Sequence, residues 1–541
     1  MNFNIAQTLA DVASRRPDEI ALIQGRAGHY NRCTFAELRT CTARYVSALR
    51  EQGIGPGRRV MLMVPPSRDF VALTFALFSL GATVILIDPG MGYKNLLRCI
   101  GAVKPDVLVG IPKAQIFKLL FPGPFKSITS RVCVGKSLGI LGPVLAEISR
   151  SAIPDPAVFA AGRDDQAAII FTTGSTGPPK GVQYTHGIFH AQLELIRSHY
   201  QIGPGQVDQP AFPLFALFST ALGATAVLPD MDPAKPARVN AEKFVRSLLD
   251  QEVSYSFGSP AIWNVVSRYC LDKGIVLPVR KILMAGAPVA GELIERVLAT
   301  MAAGGEVHTP YGATECLPIA SMTGSEIVRQ TWPLTMTGKG TCVGHPLPGI
   351  TIRIMQAADR PVESYRQVVI LPPGEIGEII VKGPVVTRAY DNNPEENKTA
   401  KIRDDDSFWH RMGDMGYFDE QGRLWFCGRK AHRVLTRKGP LYTIPCEAIY
   451  NVHAKVHRTA LVGVGRPGKQ IPVLCVECVD KRCDTKRLAL ELRALGVQNK
   501  MTKGIDHILF YPKFPVDIRH NAKIFREKLA VWAAKKLAGQ H

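Results

Sequence analysis

The stretch FTTGSTGPPKGVQYTHG, residues 171–187, gathers glycines, hydroxyl side chains and one lysine within a few positions. Glycine lets backbone N–H groups close on an anion, hydroxyls add donors and lysine supplies charge, so the stretch is a candidate phosphate-binding loop. The apolar residues 167–171 predict a short buried strand before it, and α/β proteins place ligands at such strand ends. It is not a Walker A motif, because Pro179 precedes Lys180 and Gly181 follows it. An ordinary surface loop remains an alternative on composition alone.

Length and composition indicate a multidomain globular protein. The chain has 541 residues, which is too long for one hydrophobic core and predicts about two to four domains or subdomains. Apolar residues make up 46% and charged residues 21%, as in ordinary globular proteins. The first residues, MNFNIAQTLADVASRRPDEIALI, lack a basic segment followed by an apolar one, so no secretory signal is predicted and the cytoplasm is the expected location.

The 12 cysteines are scattered without regular spacing. The one close pair is Cys475 and Cys478 in PVLCVECVD, which could form half of a zinc site. No second pair stands nearby, and the alternation of Val473, Cys475 and Glu477 predicts a strand instead. Reduced, mostly buried thiols are the favoured interpretation.

One uncharged segment, residues 70–87 (FVALTFALFSLGATVILI), reaches the length of a membrane span, which is about 18 residues. Gly81 divides it into a helix that ends near Leu80 and a β-rich run over residues 82–87, which Asp88 closes. A buried helix followed by a buried parallel strand is therefore favoured over a transmembrane segment.

The net charge of +20 is concentrated near the C-terminus. From Lys430 onward, 22 Lys or Arg stand against 8 Asp or Glu, an excess of 14 positive charges. No run of five or six like charges and no aromatic-rich basic motif is present, so nucleic acid is not an expected partner. An anionic substrate, an acidic protein partner and a solvated basic face all remain open.

Alternating strand and helix patterns run from about residue 21 to residue 381, which predicts parallel sheets covered by helices. Examples are the strands predicted at residues 59–64, 281–284 and 378–382. Near Cys427 the pattern changes to a basic α+β segment with its own apolar positions. We therefore predict a large N-terminal domain, residues 1–428, and a small C-terminal domain, residues 429–541.

Four further stretches accompany the glycine loop in a fixed order. They are AGAP at 285–288, TPYGATE at 309–315, HRMGD at 410–414 with GRK at 428–430, and DIRHNAKIFREKL at 517–529. Each has a structural explanation when taken alone, since a glycine can cap a strand and a lysine can simply be solvated. Their order and spacing are what favour a common function.

With these motifs the chain resembles the adenylate-forming superfamily of acyl-CoA synthetases, peptide-synthetase adenylation domains and luciferases. The resemblance covers nearly the whole chain. It implies an α/β fold with a large N-terminal domain of stacked, mostly parallel sheets with helices and a β-barrel-like subdomain. A small, mobile α+β C-terminal domain that carries a catalytic lysine is expected to follow.

The resemblance also implies ATP and Mg²⁺ as cofactors and identifies candidate site residues. The cofactor-binding residues it implies are Thr172, Thr173, Gly174, Ser175, Thr176, Lys180, Gly286, Ala287, Pro288, Tyr311, Gly312, Thr314, Asp414 and Arg429. The catalytic residues it implies are Lys523, Glu315 and Thr176, with Glu315 also as the metal ligand.

Each implied role has a physical reason. Residues 172–176 with Lys180 hold the β- and γ-phosphates, and a carboxylate at Glu315 is a ligand that Mg²⁺ prefers. Lys523 reaches the α-phosphate and the substrate carboxylate, where it offsets the negative charge that develops during attack.

The nucleoside is expected at a second set of residues. Tyr311 and the turn at residues 286–288 enclose adenine. Asp414 accepts hydrogen bonds from both ribose hydroxyls, and Arg429 reinforces that contact.

Several positions depart from the wider superfamily. Ala216 stands where many acyl-CoA ligases have a histidine, and Ala431 occupies the hinge position that usually carries aspartate. Ala522 replaces the usual glycine before the lysine, and two residues are inserted between the hinge and Pro445. These changes favour an enzyme whose second nucleophile is already on the substrate rather than one that admits a thiol.

The stretches FPLFALF, VLPDMDP, GTCVG, HRMGDMGYFD, LWFCGRKAHRV, GPLYT and FPVDIRHNAKI resemble the β-lactone synthetases of bacterial long-chain olefin biosynthesis. That resemblance implies conversion of a long-chain 2-alkyl-3-hydroxy acid, through an acyl-adenylate, to a β-lactone, AMP and pyrophosphate. It also implies possible assembly with other enzymes of that pathway. A long-chain fatty acyl-CoA ligase is the alternative enzyme.

An inactive nucleotide-binding scaffold in a pathway complex is the alternative of another class. The joint presence of Lys180, Glu315, Asp414 and Lys523 argues against it, since a scaffold needs none of them. His410 could remove the proton of the 3-hydroxyl, although a structural histidine is the favoured interpretation.

Overall fold

The secondary structure alternates helices and strands along the N-terminal two thirds of the chain. The computed structural model describes residues 1–26, 29–137, 139–172, 178–212, 214–480, 482–516 and 524–539. The helices are α1 (Ile5–Arg15), α2 (Phe35–Glu51), α3 (Arg68–Ser79), α4 (Tyr93–Val103), α5 (Pro112–Leu120), α6 (Leu145–Arg150), α7 (His186–Tyr200), α8 (Phe215–Ala221), α9 (Ala241–Asp250), α10 (Pro260–Lys273), α11 (Gly291–Leu298), α12 (Gly324–Glu326), α13 (Trp332–Leu334), α14 (Pro394–Ala400), α15 (Thr443–Asn451), α16 (Thr485–Val497) and α17 (Arg526–Ala538). The strands are β1 (Ile20–Arg26), β2 (His29–Thr34), β3 (Arg59–Met63), β4 (Thr83–Leu86), β5 (Val107–Gly110), β6 (Ser130–Cys133), β7 (Gln166–Thr172), β8 (Lys180–Thr185), β9 (Val207–Asp208), β10 (Thr225–Leu228), β11 (Tyr255–Gly258), β12 (Lys281–Met284), β13 (Glu306–His308), β14 (Tyr311–Ala313), β15 (Cys316–Ser321), β16 (Thr341–Pro346), β17 (Thr351–Met355), β18 (Gly377–Lys382), β19 (Lys401–Asp404), β20 (Ser407–Phe418), β21 (Leu424–Arg429), β22 (Val434–Thr436), β23 (Gly439–Leu441), β24 (Val456–Val464), β25 (Ile471–Cys478) and β26 (His507–Phe510).

Two mostly parallel sheets form the larger part of the molecule. The six-stranded sheet has the order β6-β5-β3-β4-β7-β8, and the seven-stranded sheet has the order β13-β12-β11-β9-β10-β1-β2. Only the edge pairs β7–β8 and β1–β2 are antiparallel in these two sheets as described. The predicted parallel sheets with helices are therefore confirmed for this part of the chain.

The uncharged segment at residues 70–87 is a buried helix and a buried strand, as predicted. The helix α3 starts at the N-cap Ser67, whose hydroxyl accepts from Phe70 N at 3.1 Å, and every residue from 70 to 79 is buried. Gly81 then adopts φ +67°, and a Cβ there would lie 2.8 Å from the Phe159 ring. The strand β4 pairs in parallel with β3 and β7. In the described ranges, no helix is both long and apolar enough to cross a bilayer.

A third sheet is antiparallel and runs β14-β15-β16-β21-β20-β18-β17, with β19 paired to β20. The expectation of a parallel pattern as far as residue 381 is wrong here, because β18 pairs antiparallel with both β17 and β20. Short turns such as residues 419–423 join neighbouring strands, whereas parallel neighbours need a crossover of about a dozen residues or more. This sheet corresponds to the barrel-like subdomain that the resemblance implies.

The residues after β21 form a small α+β unit with a three-stranded sheet, β24-β25-β26. The helices α15 and α16 cover one face of this sheet and α17 covers the other, so β25 is buried on both faces. The strand predicted around Cys475 is confirmed, and its two buried faces explain why Leu474 and Val476 are as buried as Cys475. All 12 cysteines are free thiols and most are buried. The domain limits 1–428 and 429–541 remain a prediction.

The residues around position 431 are tied to the antiparallel sheet. Lys430 Nζ lies 3.1 Å from Glu378 Oε2 and donates to the Ala358 carbonyl at 2.9 Å. Arg433 pairs with Asp359 at 2.6 Å. Ala431 itself is exposed between these two anchors.

Candidate nucleotide-binding site

The predicted phosphate loop connects two paired strands. Thr172 at the end of β7 is in register with Lys180 at the start of β8, and β7 also pairs in parallel with β4. The loop thus leaves the carboxyl end of a strand in a mostly parallel sheet, where ligands bind in such folds. Gly181 leaves little room for a side chain, since a Cβ there would lie 3.0 Å from the Phe171 ring.

Part of this loop lies outside the described residues. The predicted phosphate-binding residues Thr173, Gly174, Ser175 and Thr176 belong to that part, as does the predicted catalytic residue Lys523. Of Thr172 only the backbone is described. The assignments of these residues therefore remain predictions.

Lys180 and Glu315 both contact Tyr390, Lys180 at its ring and Glu315 at its hydroxyl. Lys180 Nζ forms an ion pair with Glu396 Oε1 and lies 5.3 Å from the centre of the Tyr390 ring. The Tyr390 hydroxyl donates to Glu315 Oε1 at 2.8 Å. Burial and then the Glu315 carboxylate raise the pKa of Tyr390, so the phenol stays a donor at neutral pH. The structure thus brings two predicted site residues, far apart in sequence, into one cluster.

The backbone around Glu315 is fixed by contacts from the segment that follows β18. The Glu315 carbonyl accepts from Thr387 N at 2.8 Å and from Thr387 Oγ1 at 3.0 Å. Lys401 Nζ donates in turn to the Thr387 carbonyl. Burial lowers the pKa of Lys401 to about 8. These contacts fix the backbone that carries the Glu315 carboxylate.

The donor set at Glu315 fits a hard divalent cation. Glu315 is partly exposed, and within the described ranges Oε1 is the carboxylate oxygen with a hydrogen-bond partner, which leaves Oε2 open to a ligand. Those ranges contain no group of three or more His, Cys, Asp or Glu that could hold a metal. Mg²⁺ typically binds one or two carboxylates together with phosphate oxygens and water, so a single carboxylate beside a phosphate loop suits it.

Asp414 and Arg429 meet across neighbouring strands. They are directly opposite each other in the β20–β21 register, and Arg429 Nη1 lies 2.6 Å from Asp414 Oδ1. Arg429 Nη1 also donates to the Met412 carbonyl at 3.0 Å. Asp414 is 5% exposed, whereas the Arg429 side chain is 37% exposed and accessible to a ligand.

Tyr311 binds the second oxygen of the same carboxylate. Its hydroxyl donates to Asp414 Oδ2 at 2.6 Å. Burial, followed by the charge of Asp414, raises the pKa of Tyr311 well above its ordinary value. Asp414 also raises the pKa of Arg429, so both donors keep their protons. Each carboxylate oxygen retains a free lone pair after these bonds, which is what two ribose hydroxyls require.

The turn at residues 286–288 lies at the same sheet edge as Tyr311. The strands β12 and β13 are parallel, with Leu283 opposite His308, so the residues after each strand emerge side by side. Gly286 adopts φ +99° in this turn, a conformation that favours glycine, and Ala287 and Pro288 follow it at the surface.

Gly312 and Thr314 belong to the tight β14–β15 turn. A Cβ at Gly312 would lie 2.5 Å from the Cys316 carbonyl oxygen, so only glycine fits there. The Thr314 carbonyl accepts from Tyr184 OH at 2.5 Å. For both residues the described contacts are structural, and their predicted part in nucleotide binding remains a prediction.

The comparisons with known proteins agree with this arrangement. Residues 9–391 match the family model described as AMP-binding enzyme. This chain belongs to the AMP-binding enzyme family. The match includes Lys180, Tyr311 and Glu315, and it ends before Asp414 and Arg429.

Two curated relatives cover nearly the whole chain. The olefin beta-lactone synthetase of Stenotrophomonas maltophilia is 44% identical, over 99% of this chain and 98% of the relative. The olefin beta-lactone synthetase of Xanthomonas campestris is also 44% identical, over 98% of each chain. Among solved structures, ATP-bound MatB from Rhodopseudomonas palustris has a TM-score of 0.79 at 21% identity and covers 99% of both chains. At 21% identity, this structural similarity shows a shared fold and nothing more about function.

Sequence reasoning missed Thr387, Tyr390, Glu396 and Lys401. All four lie in or beside the segment RAYDNNPEENKTAK. The one usable signal was the N-terminus of α14, where Asn393 caps the helix and the proline and acidic residues of NPEE begin it. Nothing local indicated that Glu396 faces Lys180, which is 216 positions away in sequence.

His410 has the environment of a structural histidine. It is 2% exposed, and its Nδ1 has no hydrogen-bond partner among the described residues. Burial and the nearby cation Lys401 lower its pKa well below the ordinary value. A buried imidazole that faces cations is poorly placed to collect a proton from a substrate.

Proposed function

We propose that this protein is an ATP-dependent, AMP-forming β-lactone synthetase acting on a long-chain 2-alkyl-3-hydroxy acid. The observation that carries the proposal is the 44% identity, over nearly the full length, to two olefin beta-lactone synthetases. The Asp414 cluster and the Lys180–Tyr390–Glu315 cluster support it, because they suit the two ends of a nucleoside triphosphate.

The first step activates the carboxylate of the substrate. One carboxylate oxygen attacks the α-phosphorus of ATP, and the bond from that phosphorus to the bridging oxygen breaks as pyrophosphate leaves. Asp414 and Arg429 hold the ribose, which fixes the α-phosphorus relative to the sheet edge. Lys180 exchanges its carboxylate partner Glu396 for the phosphates, so its charge is already directed into the site.

Glu315 would hold Mg²⁺ through the carboxylate oxygen that Tyr390 does not occupy. The bound ion neutralises charge on the phosphate oxygens. Thr387 and Lys401 keep the Glu315 backbone in place through the carbonyl contacts described above. A loss of either contact should therefore act through Glu315.

The loop residues 172–176 and Lys523 would supply the remaining contacts to the phosphates. The hydroxyls and backbone N–H groups of the loop would bind the β- and γ-phosphates, with Thr176 as the catalytic residue among them. Lys523 would neutralise the charge that develops when the carboxylate meets the α-phosphate.

In the second step the substrate's own 3-hydroxyl attacks the acyl carbon. The C–O bond to the phosphate breaks, AMP leaves with the electron pair, and the hydroxyl proton passes to solvent or to the departing phosphate. Because the hydroxyl is covalently attached to the acyl chain, proximity replaces a second binding event. Ala216, which is fully buried, offers no imidazole where many acyl-CoA ligases have one.

Glu315→Gln should raise the Mg²⁺ concentration needed for half-maximal pyrophosphate release by about tenfold or more, because a neutral amide is a weaker ligand for a hard cation. The measurement is a magnesium titration at saturating ATP. Glu375→Gln, at an exposed glutamate in the turn before β18, is the matched control and should leave the titration unchanged. An unchanged half-saturation in Glu315→Gln would assign this carboxylate a purely structural role.

We also propose that residues 429–541 form a mobile unit and that the protein acts in the cytoplasm. The basic C-terminal unit would assemble with other enzymes of an olefin pathway. The excess of 14 positive charges from position 430 onward supports this assembly, since it suits an acidic partner.

A further inference from the structure

The helix α5 exposes an apolar ridge, formed by Ile116, Leu119, Leu120 and Phe121. Their exposed fractions are 47%, 51%, 69% and 36%. Four large, exposed apolar side chains within six positions differ from the singly scattered apolar residues that are normal on a protein surface. We call these four residues the α5 ridge.

The helix that carries the α5 ridge is packed against the protein core. The opposite side of the helix buries Ala114 and Gln115, and the Gln115 side chain donates to the Val132 carbonyl at 3.0 Å. The ring centre of Phe117 lies 4.9 Å from that of Phe121 and 6.0 Å from that of Phe125, which is 1% exposed. The outward-facing side chains are therefore held by the core and are not those of a frayed end.

The charge around the α5 ridge has one sign. Lys113 and Lys126 flank it in the sequence and are exposed, and Lys118 is half-buried within the helix. The sequence from residue 107 to residue 146 contains five Lys or Arg and no Asp or Glu. An apolar ridge that lysines flank in the sequence, in a run of forty residues without an acidic one, complements a surface that is apolar within and anionic at its rim.

We propose that the α5 ridge docks the protein on an anionic lipid bilayer. The apolar side chains would enter the boundary between headgroups and acyl chains, as interfacial helices do, while the lysines meet anionic headgroups. This inference does not rest on the proposed function. A bilayer would nevertheless hold an acid with two long alkyl chains, and the lactone made from it, at a far higher local concentration than water does.

Sedimentation of the full chain with lipid vesicles tests the apolar part of the proposal. We expect the protein to bind vesicles of phosphatidylcholine with phosphatidylglycerol, and to bind pure phosphatidylcholine weakly. The double variant Leu119→Ser/Leu120→Ser should lower the partition coefficient by about tenfold or more, since two inserted apolar side chains are lost. The matched control, Leu490→Ser/Val497→Ser on α16, removes side chains that are 64% and 67% exposed and should bind like the parent.

A second pair of variants tests the electrostatic part. Lys113→Gln/Lys126→Gln should lower the partition coefficient about fivefold for each lysine removed. Lys500→Gln/Lys503→Gln removes the same charge from exposed positions of the basic C-terminal unit and should leave binding intact. All these positions are exposed or at the surface, so Tm should change little and folding can be checked directly.

Three results would overturn the proposal. The first is failure of the parent protein to sediment with anionic vesicles at low salt. The second is an equal loss of binding in the α5 variants and in their controls, which would assign membrane binding to overall charge. The third is capture of the protein by immobilised polyglutamate, lost in the α5 variants, without vesicle binding; that result would assign the ridge to an acidic protein partner.

Discussion

Lys523→Ala is expected to lose adenylate formation by about a hundredfold or more while it still binds ATP. The substitution removes a positive charge that acts mainly when negative charge develops between the carboxylate and the α-phosphate, so the loss falls on the rate of the chemical step. The flanks of the lysine segment are anchored, since Val516 pairs with Ile524 and Arg526 binds both carboxylate oxygens of Glu447. The measurement is ATP–pyrophosphate exchange, with ATP affinity determined by equilibrium binding.

Lys528→Ala is the matched control for that prediction. Lys528 lies five positions further along on α17, and its Nζ is 4.6 Å from the centre of the Phe525 ring. It has the same charge and is close in sequence to the same anchored flank, but it has no assigned contact with substrate. Exchange should be unchanged in this variant. If exchange were also unchanged in Lys523→Ala, Lys523 would have no part in the mechanism.

Asp414→Asn should lower kcat/KM for ATP by about tenfold to 150-fold, mainly through a higher KM. The carboxylate accepts one charge-assisted bond from Arg429 and one bond from Tyr311, both at 2.6 Å. An amide cannot accept at both atoms, so one of these donors loses its partner and the ribose loses a charged acceptor. Hydrogen bonds to charged groups contribute about 1.5–3 kcal/mol, which sets the expected range.

Asp419→Asn distinguishes nucleotide binding from general damage to the same sheet. Asp419 Oδ2 accepts from Arg423 Nε at 2.7 Å and from Trp425 Nε1 at 2.8 Å in the turn between β20 and β21. Its loss should lower Tm and leave the KM for ATP close to that of the parent. Equal effects of the two variants on KM would mean that Asp414 acts through the stability of the sheet and not through the ribose.

Local sequence signals predicted the elements that depend on local physics. Gly81 marked the end of α3, because the chain turns there close to the Phe159 ring. The uncharged residues before and after it were numerous enough to predict a helix and a strand. The order of motifs then predicted a set of nucleotide-site residues, and that set stays a prediction. The Asp414–Arg429 pair needed only the register of one hairpin to become a contact.

Features set by distant parts of the chain could not be predicted. Ile379, Ile380 and Val381 in β18 are all fully buried, and a strand buried on both faces has the same apolar run whether its neighbours are parallel or antiparallel. The contact of Lys180 with Glu396 joins segments 216 positions apart. The burial of Lys401 also depends on packing between separate segments of the chain. Neither feature produces a periodic pattern in the sequence.

The most direct test of the account is the product formed from ATP and three substrate sets. These are a long-chain 2-alkyl-3-hydroxy acid, the same acid without the hydroxyl, and each of them with CoA added. The proposed mechanism predicts β-lactone and AMP in equal amounts from the first, and at most a stalled acyl-adenylate from the second, because only the 3-hydroxyl is held beside the acyl carbon. CoA should change neither result. An acyl thioester as the main product from the acid without the hydroxyl would contradict the lactone mechanism and identify the protein as a long-chain acyl-CoA ligase.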